Sequence, residues 1–563
     1  MEKLKNSLWY YYKKPKIEMI KFSSAIIFFT LFIHPSTVSG QSREFEILKN
    51  IELIDQIHEY LELYFVDEPQ TGKISKVAID AMLKELDPYT VFYHESNMED
   101  YRLMSAGEYG GIGALIRDIK GWVHIIEPYL NKPAHKSGLK AGDKILSIEG
   151  NSMKEKTVEE VSTALKGPKG SSINIKVQRG DETLVFNVIR EQIKIADVPY
   201  SGMLKGDVGY VKLSSFTQTA FQSVQSEFQK LKADGMKYAI LDLRNNGGGL
   251  LFEAVKIVNL FIPKGELVVY TKGRIEKENR EFKTRDVPLF PDMPLVVLIN
   301  ENSASASEIV AGSLQDLDRA VVLGTQSFGK GLVQRTYDLK YGSKLKVTIS
   351  KYYTPSGRCV QRLEYYDRNM DNAPVEISDS LIKTYKTKNG RDVIDGRGIL
   401  PDVEVANKKY SELTKTLVLN DVLFEYVNQY VRTIDSIESP SVYTFGEANY
   451  QDFISYVNSL RDFEYTTMAE KKLSELKDLI KQDSSYQEVN DELRKIELEI
   501  TADLSRDLMR YKMEIVPLLE NEIVARFYFQ KGKTEHSFSF SDLIKESVRI
   551  LVSQNEYEKI LNP

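Results

Sequence analysis

The chain has 563 residues, 42% of them hydrophobic and 28% charged, with a formal net charge of −6. At roughly 100 to 200 residues per domain, this length requires three or four packed units of folded, soluble composition. The slight acidic excess gives no reason to expect nucleic acid as a partner, and the single cysteine, Cys359, excludes an intramolecular disulfide.

Lys14, Lys16 and Lys21 precede the apolar run from Ser23 to Ile33, and Val38-Ser39-Gly40 follows with small residues suited to a signal-peptidase cut. This pattern predicts a signal peptide over residues 1–40 and hence export. Met19 offers a more ordinary signal start than Met1. The run is short of the about 20 residues of a spanning helix, with an uncleaved inner-membrane anchor as the alternative. No cysteine follows the run to take a lipid, so the expected location is a bacterial periplasm.

Ile47, Leu48, Ile51, Ile54, Ile57, Tyr60, Leu61 and Tyr64 recur at helical spacing and predict a small helical domain over 43–106. It includes the turn Leu86-Asp87-Pro88-Tyr89-Thr90. From 107 to 190 the pattern changes to short strands with glycine turns. Gly110-Gly111-Ile112-Gly113-Ala114 opens it, a strand follows at Trp122 to Ile126, a helix at Val158 to Lys166, and a strand pair, Ile173 to Gln178 and Thr183 to Ile189, closes it. Between 196 and 408 strands and helices alternate. The continuous apolar runs Tyr238 to Leu243, Leu295 to Ile299 and Ala320 to Leu323 fit a sheet covered on both faces. Residues 411–563 read as a helical extension for packing or oligomerisation, with no chemical motif.

The six histidines are His34, His58, His94, His124, His135 and His536, so residues 136 to 535 contain none. A Ser-His-Asp triad, a Cys-His pair or a histidine-ligated zinc would have to be built from the flanks of the α/β segment. Within that segment Ser303, Ser305 and Ser307 lie where the strand Leu295 to Ile299 turns into a helix. Free N–H groups and the positive end of the helix dipole favour an oxyanion there. A lysine made neutral by desolvation is the remaining base. Lys330, between Gly329 and Gly331, fits that role, and Gln334 can orient its amine. In a straight strand the two lie about 13 Å apart, so their cooperation requires a turn near Gly329 or Gly331. Asp316, eleven residues along the helix and about 16 Å from Ser305, reads as a structural ion pair or cap. Asp242-Leu243-Arg244-Asn245-Asn246 before Gly247-Gly248-Gly249 is a glycine turn at a strand end, where ligands of open α/β sheets gather.

These segments, together with Phe328-Gly329-Lys330-Gly331, Tyr352-Tyr353-Thr354-Pro355-Ser356-Gly357-Arg358 and Gly398-Ile399-Leu400-Pro401-Asp402-Val403, resemble the C-terminal processing (tail-specific) serine peptidases. The resemblance covers roughly residues 50 to 408. It implies a multidomain α/β protein: a helical N-terminal domain, a PDZ-like domain over 107–190, a crotonase/Clp-protease-like α/β catalytic core over 196–408 and a helical C-terminal domain. Ser305 is then the nucleophile, Lys330 the general base, Gln334 its positioner, and the N–H groups of Ala306 and Gly248 the oxyanion hole. Gly247 stands where proline is common in the family, which leaves the choice of glycine donor open. In the PDZ-like domain Gly111, Ile112, Gly113 and Ala114 correspond to the carboxylate-binding loop, with Val161 and Leu165 as pocket walls. Ala114 replaces a usually larger apolar residue. No metal or organic cofactor is implied. The expected partners are protein substrates with exposed C-terminal tails, with an activating adaptor and self-association as further expectations. A tail-binding scaffold without catalysis and a crotonase-like acyl-CoA enzyme are the rival readings.

Overall fold

The computed structural model describes residues 43–562 apart from 96–97, 99–100, 104–106, 369–372, 407, 462 and 483–488. The expected signal peptide at 1–40 lies outside the described residues. The chain divides into two compact units after Ser75. In the first, α1 (Arg43–Tyr64) has the predicted helical spacing but buries none of its side chains, and Ile47, Leu48, Ile51, Ile54 and Ile57 are all exposed. Its apolar residues are spread around the helix instead of gathered on one face. Residues 43–64 are therefore a helix without a core, where a packed helical domain was expected. A second helix, α2 (Thr71–Lys84), follows.

In the second unit the Asp87-Pro88 turn leads into β1 (Val91–Tyr93). The PDZ-like region contains β2 (Glu108–Gly111), β3 (Ala114–Ile119), β4 (Trp122–Pro128), β5 (Lys144–Ile148), β6 (Asn151–Ser152), α3 (Val158–Leu165), β7 (Ser172–Arg179), β8 (Glu182–Ile189) and β9 (Glu191–Lys194). Its main sheet runs β3-β4-β5-β7-β8, and β2 pairs with β9. Thr157 starts α3: its Oγ1 accepts the Glu160 N–H at 3.2 Å while Glu160 accepts the Thr157 N–H at 2.8 Å, a reciprocal cap.

The α/β core runs through β10 (Tyr200–Leu204), β11 (Val208–Lys212), α4 (Ala220–Ala233), β12 (Tyr238–Asp242), α5 (Leu251–Asn259), β13 (Leu267–Gly273), β14 (Arg280–Lys283), β15 (Leu295–Ile299), α6 (Ala306–Asp316), β16 (Val321–Gly324), β17 (Leu332–Asp338) and β18 (Lys344–Tyr353). Its central sheet is β10-β11-β12-β15-β16 plus the short strand Val403–Glu404, parallel from β11 onward. The fully buried runs of β12, β15 and β16 match the two-sided burial expected from their composition. Leu295, Val297 and Ile299 face a core with residues of α4, α5 and α6 such as Val224, Ile257 and Leu314. Val296 and Leu298 face the other way. There they meet Ile544, Ile550, Leu551, Tyr557 and Leu561 of α7 (Asp542–Val552) and α8 (Gln554–Leu561), the last helices of the chain. The Tyr557 hydroxyl bonds both N–H and O of Leu295, at 3.0 and 3.1 Å. The end of the expected helical extension is thus the second cover of the central sheet, while helices from 412 to 537 build a separate core around Phe453, Leu519 and Ile523.

A second, antiparallel sheet, β1-β18-β13-β14 with β17 also on β18, lies in the same unit. Its pairing of Val91 with Lys346 brings the Asp87-Pro88 turn to the strands that follow Lys330.

Candidate active site

The three candidate serines differ in what their hydroxyls do. Ser303 is fully buried and donates to the Leu243 carbonyl at 2.9 Å; Ser307 is fully buried and donates to the Asn246 carbonyl at 2.8 Å. Both hold the Asp242–Gly249 turn against the start of α6. Ser305 is half-buried, and its hydroxyl donates to no group among the described residues. Its backbone, at φ 56° and ψ −111°, lies in a region that non-glycine residues avoid. Such strain costs of order 1–3 kcal/mol and persists only where the surroundings enforce it.

Two neighbours enforce it. A Cβ on Gly248 would lie 2.8 Å from Ser305 Cβ and 2.9 Å from Ala306 N, so only glycine admits this approach, at φ +99°. On the other side Glu308, wholly buried, accepts the Ser305 N–H at 2.8 Å. The same carboxylate oxygen accepts the Lys330 N–H at 2.9 Å, while the other oxygen accepts the Gly329 N–H at 2.7 Å and the Ser327 hydroxyl at 2.6 Å. One carboxylate therefore fixes the backbones of both expected catalytic residues. Burial pushes its carboxyl above the ordinary carboxylate range, against the pull of these four donors. The Ser305-x-x-Glu308 spacing of a capping box was the available sequence signal for it.

Lys330 is half-buried, and its Nζ stands 3.9 Å from the centroid of the Tyr89 ring. Burial first, and the charge of Lys346 second, push its ammonium down to about 8, with Glu308 and Asp87 acting the other way. Among the described residues no hydrogen bond joins Nζ to Ser305 or to Gln334. The expected turn is present, since Gly329 has φ +87°. Gln334 is hydrogen-bonded elsewhere, however. β17 bulges between Val333 and Gln334 and pairs Gln334 with Thr348, whose Oγ1 accepts the Gln334 amide at 3.2 Å. In this structure the Gln334 amide nitrogen is held by the neighbouring strand.

The oxyanion donors also part company. The Ala306 N–H, first of α6, donates to no group among the described residues. The Gly248 N–H is engaged: it donates to Asn246 Oδ1 at 2.9 Å. Asn246 is buried because its Nδ2 also donates to the Leu213 carbonyl, so its side chain pins the glycine turn. Gly248 thus approaches Ser305 closely through its missing Cβ, while its N–H is engaged by Asn246. Asp316 binds the buried Arg358 at 2.8 Å, the structural pairing anticipated.

In the PDZ-like region the N–H groups of Ile112 and Gly113 donate to no group among the described residues, as a carboxylate-binding loop requires, and Gly113 has φ +71°. Val161 and Leu165 depart from expectation. With Ile112 they belong to the core formed with Ile145 and Ile173, and Val161 has no exposed surface. Both side chains are covered in this structure, with α3 packed on the sheet. Ala114 is half-buried at the edge of that core.

Three family models match along the chain: peptidase family S41 over 207–365, a PDZ domain over 125–179, and the C-terminal helical domain of probable PDZ-proteases over 413–551. A carboxy-terminal-processing protease of Bartonella bacilliformis is 37% identical over 319 residues, covering 56% of this chain and 73% of its own length. The chain belongs to peptidase family S41. A probable CtpA-like serine protease of Staphylococcus aureus is 32% identical over 378 residues, 66% of this chain and 69% of its own. Among solved structures, the photosystem II D1 C-terminal processing protease matches at 25% identity and a TM-score of 0.36, over 63% of this chain and 92% of its own. By its family models and curated relatives, this S41 peptidase is a serine-type enzyme of the C-terminal processing kind, with a PDZ domain and a helical C-terminal domain. Both rival readings, scaffold and acyl-CoA enzyme, give way to it.

Proposed function

We propose that this S41 peptidase is an exported endopeptidase that selects proteins by their C-terminal tails and cleaves them with Ser305 and Lys330. The observation that carries this reading is the Glu308 carboxylate bound to the N–H groups of both residues, in a core without histidine. Neutral Lys330 takes the Ser305 proton as Oγ bonds to the peptide carbonyl carbon, and the carbonyl oxygen becomes an oxyanion held by the Ala306 N–H. The lysine proton then passes to the leaving amine as the C–N bond breaks. Water, deprotonated by Lys330, releases the acyl group and regenerates Ser305. A second oxyanion donor is available when the Gly248 N–H exchanges Asn246 Oδ1 for the substrate. Gln334 enters as positioner only if its amide leaves Thr348.

Support for tail selection is the free pair of N–H groups at Ile112 and Gly113, which suit a terminal carboxylate. Support for export, to the periplasm, is the lysine-flanked apolar run and the small residues after it. Two unfolded polypeptides that differ only in their last residues, one tail apolar and one acidic, test the selection. The apolar tail is expected to raise kcat/KM by about tenfold or more, the equivalent of about 1.4 kcal/mol. Equal rates, or no loss when the apolar tail is amidated, would remove tail recognition from the proposal.

A further inference from the structure

The turn Leu86-Asp87-Pro88-Tyr89-Thr90 lies more than two hundred residues before Lys330 in sequence, and nothing in the acyl-transfer steps uses it. Its construction is nevertheless rigid. The Asp87 carboxylate is buried and accepts three hydrogen bonds, from the Tyr89 N–H at 2.7 Å, the Thr90 N–H at 2.8 Å and the Thr90 hydroxyl at 3.0 Å. Pro88 fixes its own φ between them. Strand β1 then ties the turn to β18. What this presents to the site is one aromatic face. The Tyr89 ring is braced by an edge-on contact with the Tyr365 ring, centroids 5.7 Å apart, and by hydroxyl contact at 3.0 Å. Burial first, and Tyr365 second, hold the phenol far above its ordinary range, so the ring stays neutral.

From the 3.9 Å approach of Nζ to this ring, we propose that Tyr89 is a positioning residue for Lys330, a seat that holds the protonated amine away from Ser305 and releases it on deprotonation. This rests on the reading of Lys330 as the base. The physical ground is that a π face attracts an ammonium but has no such attraction for an amine, and desolvation strengthens the effect. The charged groups around Nζ are few: Glu308 from α6 and Asp87 from the turn attract it, and Lys346 from β18 repels it. Neither carboxylate makes a hydrogen bond to Nζ among the described residues, and the ring lies 3.9 Å from it. The same turn reaches Gln334 from the other side, because Thr90 Oγ1 accepts the Thr348 N–H at 3.2 Å and Thr348 Oγ1 holds the Gln334 amide. One N-terminal turn thus sets the resting place of the base and of its expected positioner.

The test compares Tyr89→Leu, which keeps an apolar cover but removes the ring face, with Tyr89→Phe, which keeps the face and removes the hydroxyl. In full-length protein carrying Ser305→Ala, the titration of Lys330 is followed by NMR of lysine labelled with 13C at Cε, its signal assigned through Lys330→Arg. Without the ring the ammonium loses its seat, so Tyr89→Leu is expected to move the Lys330 titration down by about one unit, and Tyr89→Phe to leave it in place. An unmoved or raised titration in Tyr89→Leu, or an equal shift in Tyr89→Phe, overturns the seat. Tyr89→Phe also controls for misfolding, since it leaves the packing intact. Because the NMR readout needs no turnover, it stands or falls separately from the assignment of Lys330 as the base. That assignment is read instead from activity in the Lys330 variants.

Discussion

Ser305→Ala and Lys330→Ala are each expected to lower kcat/KM on an unfolded polypeptide by about 10⁴-fold or more, with the double variant little worse than either single one. The non-additivity follows from the chemistry: a hydroxyl without a base and a base without a hydroxyl are equally unable to form the acyl-enzyme. The adjoining serines make internal controls. Ser303 and Ser307 spend their hydroxyls on the carbonyls of Leu243 and Asn246 in the buried turn. Their alanine variants are expected to lose about 1 kcal/mol or more of stability each while leaving a working nucleophile. Unfolding midpoints together with kcat/KM separate the two classes. If Ser307→Ala were as inactive as Ser305→Ala while fully folded, the choice among the serines would be wrong.

Glu308→Gln is expected to have the second largest effect, on stability and turnover together. Each carboxylate oxygen accepts two donors. An amide must place its NH₂ against one such pair, so two charge-assisted hydrogen bonds are lost and at least one backbone N–H is left facing another donor. At about 1.5–3 kcal/mol for each bond to a charged group, the expected cost is about 3–6 kcal/mol, visible as a lowered denaturant midpoint. Because the Ser305 N–H and the Lys330 N–H share one of the oxygens, the nucleophile and base keep at best a neutral amide oxygen as their common anchor and lose it where the NH₂ takes that place. A fall in kcat of about 10²-fold with KM little changed is expected in the fraction that folds. Wild-type kcat in a well-folded Glu308→Gln protein would show that the anchor is packing alone.

Much of the site was legible because its chemistry is local. The serine cluster at a strand-to-helix junction and the absence of histidine between 136 and 535 led to a lysine base without any coordinates. The family resemblance pointed to Ser305 among the three serines, and burial accords with that choice: the hydroxyls of Ser303 and Ser307 are sealed in the core, whereas Ser305 is half-buried. Where the structure differs from these expectations, the causes vary. Gln334 was expected to turn toward Lys330, but its neighbour is set by register with β18 and by a bulge that periodicity cannot reveal. Tyr89 reaches Lys330 only because β1 pairs with β18, at Val91 and Lys346. The Gly248 N–H was read as an oxyanion donor from its place in a glycine run, whereas the side chain two residues earlier captures it. Val161 and Leu165 were placed on the correct helix, yet helix-to-sheet distance, which no spacing encodes, makes them core. At the fold level the apolar strands were legible as two-sided, but the source of their second cover was not. α7 and α8 look like any amphipathic helix of the extension until Tyr557 is seen bonded to Leu295.

The dependence of kcat/KM on pH tests the central claim most directly. A lysine base works only when neutral, and burial together with Lys346 pushes the Lys330 ammonium down to about 8. Below that pH the amine is protonated and idle; above it the amine is free to take the Ser305 proton. Activity on an unfolded, apolar-tailed polypeptide should therefore rise about tenfold per pH unit on the acid side and bend to a plateau near pH 8. A plateau already reached by pH 6 to 7, where a histidine or a carboxylate base is neutralised or ionised, would contradict the assignment of Lys330.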